Sequence, residues 1–159
     1  MEFDPQWPVI LKVGCSIFLG GLIGLEREWA SKPAGFRTHM LVAGASTLFV
    51  LLGDIMIRQF ANTSFLETIQ TDPIRIMEAI ITGISFLGAG TIFFRDQPST
   101  VEGLTTAASI LFVSGIGMAV ALGQIIMAVV LTIMVITILY VLGYIQNLIE
   151  HKRPNNESP

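Results

Sequence analysis

Long apolar runs broken by short polar turns dominate this chain. Five runs approach or meet the roughly 17 to 25 mostly apolar residues that a helix needs to cross a bilayer core. They lie at about residues 8–25, 38–56, 73–94, 104–122 and 124–144. The pattern predicts an all-α polytopic membrane protein: an outer segment over 1–7, a transmembrane domain over 8–145 and a cytoplasmic tail over 146–159. Residues 83–109 carry an unusual share of small side chains, Gly83, Gly88, Gly90, Gly103, Ala107 and Ala108, set around a polar turn. Small residues let helix backbones approach where lipid is as apolar as the partner. The tight centre of the bundle is therefore expected there, with Gly20 and Gly24 playing the same part in the first run.

Between the runs, Ser64 with Glu67 suggests a capping box for a short surface helix in the connection 57–72. Asp72-Pro73 reads as N-cap and first residue of the third helix. The fifth run is almost all Val, Leu, Ile, Met and Thr over 129–142, so it is expected at the lipid-facing periphery.

Composition removes the water-soluble classes. Charged residues make up 13% of the chain, against about 25% in a soluble domain, and a net charge of −3 with no basic cluster longer than Lys152-Arg153 argues against nucleic acid. The acidic N-terminus, Glu2 and Asp4, and the absence of a small-residue cleavage site predict a retained first span. Six of nine basic residues, Arg27, Lys32, Arg37, Arg95, Lys152 and Arg153, fall in alternate loops, which places the N-terminus outside and the C-terminus in the cytoplasm. Lys12 is expected to snorkel to the outer surface, and Glu78 to be interfacial or to line a polar cavity. Cys15 reads as a buried small hydrophobe.

A shift of 68 residues aligns Phe18-Leu19-Gly20 with Phe86-Leu87-Gly88, Arg27 with Arg95, Ser31 with Ser99, Gly35 with Gly103, Thr38 with Thr106 and Ser46 with Ser114, without a gap. Spans one and two would then repeat as spans three and four. Spans one and three run in the same direction in this topology, so the repeat is parallel, about an axis along the membrane normal. Both polar turns emerge on one face and can meet.

Those turns hold the candidate chemistry: Glu26, Arg27, Glu28, Arg37, Thr38, His39, Arg95, Asp96, Glu102, Thr105 and Thr106. Thr38, Thr105 or Thr106 could cap the unpaired N–H groups at the starts of spans two and four, and the carboxylates should pair with the arginines. One reading is that these groups only cap helices, fix topology and pair across loops. The other is a cytoplasmic-facing site for a cation, a proton or a partner protein. No ligand spacing demands a metal and no cofactor is implied; His39 alone makes no metal site. No nucleophile elbow, phosphate loop or zinc motif is present, which argues against an enzyme.

With GLIGLEREW at 21–29, KPAGFRTHMLV at 32–42, GISFLGAG at 83–90 and EGLTTAAS at 102–109, the chain closely resembles the MgtC/SapB family of bacterial inner-membrane proteins over residues 10–123. Ser85 stands where the family leads one to expect glycine, and Glu78 where a small apolar residue is usual. The resemblance implies a multi-pass inner-membrane protein, linked in its best-known member to growth at low magnesium, survival inside phagocytes and restraint of the rotary ATP synthase. That member's additional C-terminal domain is not expected here. Two functions follow: a regulatory or stress-adaptation factor acting through other inner-membrane proteins, or a small homo-oligomeric ion or solute transporter with the polar turns as its site. The lipid bilayer, further copies of the chain and other inner-membrane proteins are the expected partners.

Overall fold

A computed structural model describes residues 6–61, 72–93 and 103–151, in which all regular structure is helical. The helices are α1 (Trp7–Trp29), α2 (Phe36–Ala61), α3 (Pro73–Phe93), α4 (Leu104–Ala121) and α5 (Ile125–His151). Among the described residues four segments are long and apolar enough to cross a bilayer: Trp7–Trp29, Phe36–Gln59, Pro73–Ile92 and Leu104–Ala121. The 27 residues of α5 extend about 40 Å, and it is apolar over Ile125–Val141. The surface helix expected from Ser64 and Glu67 falls outside the described residues.

Local chemistry fixes the helix ends. Pro73 opens α3, and the Asp72 carboxylate accepts the N–H of Ile74 at 2.9 Å, as the sequence suggests. At the end of α1, Ser31 N bonds to Glu28 O and Lys32 N to Arg27 O, a Schellman closure that puts Ser31 at φ 53°. α4 ends the same way, with Gly123 at φ 78°. Serine bears a Cβ that disfavours this left-handed conformation. Ser31→Gly is therefore expected to stabilise the protein by about 0.5–1 kcal/mol, read as a higher unfolding midpoint in detergent; an unchanged or lower midpoint would contradict that.

α1 runs one turn beyond the apolar stretch ending near residue 25, because Glu26 and Arg27 neutralise each other and let the helix continue. α2 and α4 run parallel: His39 meets Ser109, Ser46 meets Ser114, and Thr47 meets Gly117 in rising order along both. α1 is antiparallel to α2, since Gly20 lies against His39 and Ala43, and Gly24 against Phe36. α3 is antiparallel to α4, with Gly88 against Ala107 and Gly103 against Thr91. The end of α1 and the starts of α2 and α4 therefore share one face.

The repeat is visible in these contacts. Gly20 packs on His39 and, 68 residues further on, Gly88 packs on Ala107. Ser46 Oγ donates to Ser114 Oγ at 3.0 Å, a bond between two repeat mates that marks the local two-fold axis. α5 stands outside the repeat and packs against α1 and α4.

The expected tight centre needs correction. α4 is central, 61% buried over its span, but α3 is the least enclosed of the four candidate spans at 11%. A Cβ on Gly83 or Gly90 would meet nothing within 4 Å, so neither glycine serves a close helix contact among the described residues. Close backbone approach is achieved instead at Gly20 and Gly24 of α1 and at Gly117 of α4, whose missing side chain lets the Ala43 carbonyl in. The core joins Leu19, Ile23, Val113, Ile116 and Val120 to Ala128, Val135 and Leu139 of α5.

Candidate functional site

The shared face brings most of the described polar candidates together. Glu26 takes both Nε and Nη2 of Arg27, at 2.5 and 2.6 Å. Neighbours on a helix do not normally face each other, so the guanidinium folds back along α1 to make this bidentate pair. The arginine is the more deeply buried partner, with 5% of its side chain exposed against 15% for the glutamate. Glu28 acts across the turn instead. Its Oε2 accepts the N–H of Phe36 at 2.9 Å and so caps α2 from the preceding helix. A Cβ on Gly35 would displace that carboxylate, so the glycine leaves room for the Glu28 cap.

This corrects the expectation that threonines cap the helices. Among the described residues no capping bond from Thr38, Thr105 or Thr106 is found; Glu28 serves α2, and the N-cap of α4 is Gly103, at φ 106° and without a side-chain bond. Glycine is required there because a Cβ would also press on Thr91 O at 2.9 Å. Arg37 and Thr105 are exposed, Thr38 is half-buried and Thr106 is buried. Arg95, Asp96 and Glu102 lie outside the described residues.

His39 is fully buried and connects α2 to α4. Its Nδ1 lies 2.9 Å from Gly35 O, and a carbonyl only accepts, so Nδ1 carries a proton. Its Nε2 lies 3.0 Å from Ser109 Oγ, itself 2.8 Å from Thr106 O. Ser109 has one proton for two acceptors: it donates to Thr106 O when Nε2–H donates to it, or to Nε2 when that nitrogen is unprotonated. The imidazole is thus a strut between helices. Among the described residues no three His, Cys, Asp or Glu side chains are grouped to hold a metal ion.

Sequence reasoning missed Ser46, Thr47, Ser109 and Ser114 as parts of this buried ladder. The signal lies in the repeat alignment, where Ser46 and Ser114 are mates and so fall near any axis relating the halves. Lys12 also departs from expectation. Its Nζ donates to Ala121 O at 2.8 Å, serving a carbonyl left unpaired at the end of α4 and placing a cation at the negative end of that helix. It lines a cavity of about 310 Å³ with Asp54 and Arg58, which pair at 2.9 Å. Glu78 is exposed on α3 and lines neither this cavity nor the polar face.

Five apolar helices, a parallel internal repeat and a polar ladder closed inside the bundle define a multi-pass helical membrane protein. A profile of the MgtC family matches residues 13–148, and the chain belongs to that family. It is 34% identical over 151 residues to an uncharacterized protein of Haemophilus influenzae, covering 94% of this chain and 62% of that one. It is 40% identical over 104 residues to the putative magnesium transporter YhiD of Escherichia coli K12, covering 65% and 46% of the two chains. It is 39% identical over 119 residues to protein MgtC of Salmonella typhimurium, covering 75% and 46%. The chain thus spans about half to three-fifths of the length of these relatives. No solved structure matches it.

Proposed function

We propose that this chain is a magnesium-linked regulatory protein of the bacterial inner membrane that acts through other membrane proteins and carries out no catalysis of its own. The name of one relative, the putative magnesium transporter YhiD, supports the link to magnesium. The distribution of basic residues supports a cytoplasmic position for the face bearing Glu26, Arg27 and His39. The observation that carries the regulatory reading is the closure of the polar ladder. His39, Ser46, Thr47, Ser109 and Ser114 are buried and hydrogen-bonded. Among the described residues no buried side-chain N or O lacks a partner. A permeation route would need polar groups turned toward a water-filled path.

A second reading, a cation transporter, is favoured by the name given to YhiD and by the parallel repeat, an arrangement common among transporters. Flux into liposomes separates the two. Purified protein in sealed vesicles is expected to pass no Mg²⁺, H⁺ or K⁺ above the level of empty vesicles. Flux that is present in the wild type and abolished by Glu26→Gln, in protein that still elutes as a folded particle, would establish transport instead.

A further inference from the structure

The local two-fold axis relates α1 to α3 and α2 to α4, so the groove beside α1 and α4 has a counterpart beside α3 and α2. Among the described residues only the first is filled, by α5. Repeat mates register the difference. Leu19 is 5% exposed and Leu87 45%; Ile116 is 0% and Leu48 36%; Val120 is 0% and Leu52 44%. Between α2 and α3 there remains an open, almost wholly apolar groove of about 590 Å³, lined among others by Ala45, Ser46 and Phe49 on one side and Arg75, Ala79 and Gly83 on the other.

From these observations we infer that a second copy of this chain docks in the groove through its own α3. The helix face opposite the core carries Arg75, Glu78, Ala79, Thr82 and Phe86, all exposed, and among the described residues neither the Arg75 guanidinium nor the Glu78 carboxylate has a partner. An unpaired carboxylate and an unpaired guanidinium on an outward membrane face call for a polar partner rather than lipid. A two-fold axis along the membrane normal sets two α3 helices parallel. Arg75 of each copy then stands three residues, about 4.5 Å, from the level of Glu78 of the other, so one self-complementary face satisfies both charges twice. A Cβ on Gly83 or Gly90 would meet nothing within 4 Å among the described residues, which leaves room for the close approach. A foreign helix would need its own matching charges; a second copy brings them.

The test is cysteine cross-linking in native membranes on a Cys15→Ser background. Phe86→Cys and Ile138→Cys lie thirteen residues into α3 and α5, and both native side chains are exposed, at 84% and 51%. Phe86→Cys is expected to give a disulfide-linked dimer of the chain at least tenfold above Ile138→Cys. Arg75→Glu or Glu78→Arg alone should weaken the dimer about tenfold, through two symmetric pairs, and Arg75→Glu with Glu78→Arg should restore it. The restored double variant shows that neither substituted side chain is in itself incompatible with the fold. Equal cross-linking at both positions, none at Phe86→Cys, capture of a different protein in place of the second copy, or a dimer indifferent to either charge reversal would overturn the inference. None of these outcomes depends on whether the protein passes ions.

Discussion

Gly20→Ala is expected to destabilise the protein by about 3 kcal/mol, a large effect for one added methyl group. That methyl would lie 2.6 Å from the carbonyl oxygen of His39 and 2.7 Å from the Cβ of Ala43. The carbonyl belongs to the α2 backbone and cannot rotate away, so α1 and α2 must separate. Separation would also pull His39 from Ser109 and open the seam on which α4 rests. Gly115→Ala is the matched control, since a Cβ there meets nothing within 4 Å and alanine is the better helix former by roughly 1 kcal/mol. Unfolding in detergent should show a large loss for the first and none for the second. Equal stability of Gly20→Ala and wild type would mean that the α1–α2 contact is far looser than described.

The second large effect concerns the pair at the end of α1. Removing one member of a buried ion pair strands the other charge, which costs about 3–5 kcal/mol. Glu26→Gln and Arg27→Gln should each lose stability of that order, and the double variant should recover a substantial part because no unpaired charge remains. Asp54→Asn provides the comparison. Its partner Arg58 is also a near neighbour on one helix, but the two side chains are 52% and 73% exposed, and such pairs contribute about 0.5 kcal/mol or less. Additive losses in the double variant at 26 and 27 would show that the two groups are solvated separately.

How much of this was legible in the sequence depends on the kind of signal. Helix number, the Asp72-Pro73 start of α3 and the common face of the two turns follow from hydropathy, caps and the 68-residue repeat, which are local or periodic. The packing role of the glycines does not follow. Gly20, Gly83 and Gly90 look alike in sequence, each set in an apolar run, and only the position of the neighbouring helix decides which one has a backbone at 2.6 Å and which has none within 4 Å. The same limit explains Lys12. One turn into a span, snorkelling is its ordinary fate, and nothing near it in sequence announces the Ala121 carbonyl 109 residues away. Of the candidate polar groups, Glu28 reads as an acceptor near the turn, but its eight-residue reach to Phe36 N requires the bend that the Schellman closure at Ser31 creates.

The hydrogen bond between Ser46 and Ser114 has a consequence for how the two halves can differ. Two identical hydroxyls cannot share one proton evenly, so one must give and the other receive, and strict equivalence fails at the axis itself. In an assembly of two separate hairpins every substitution would be imposed on both. Tandem fusion into one chain removes that coupling, and each hairpin is free to specialise: an imidazole stands at position 39 where its mate, Ala107, keeps a methyl group.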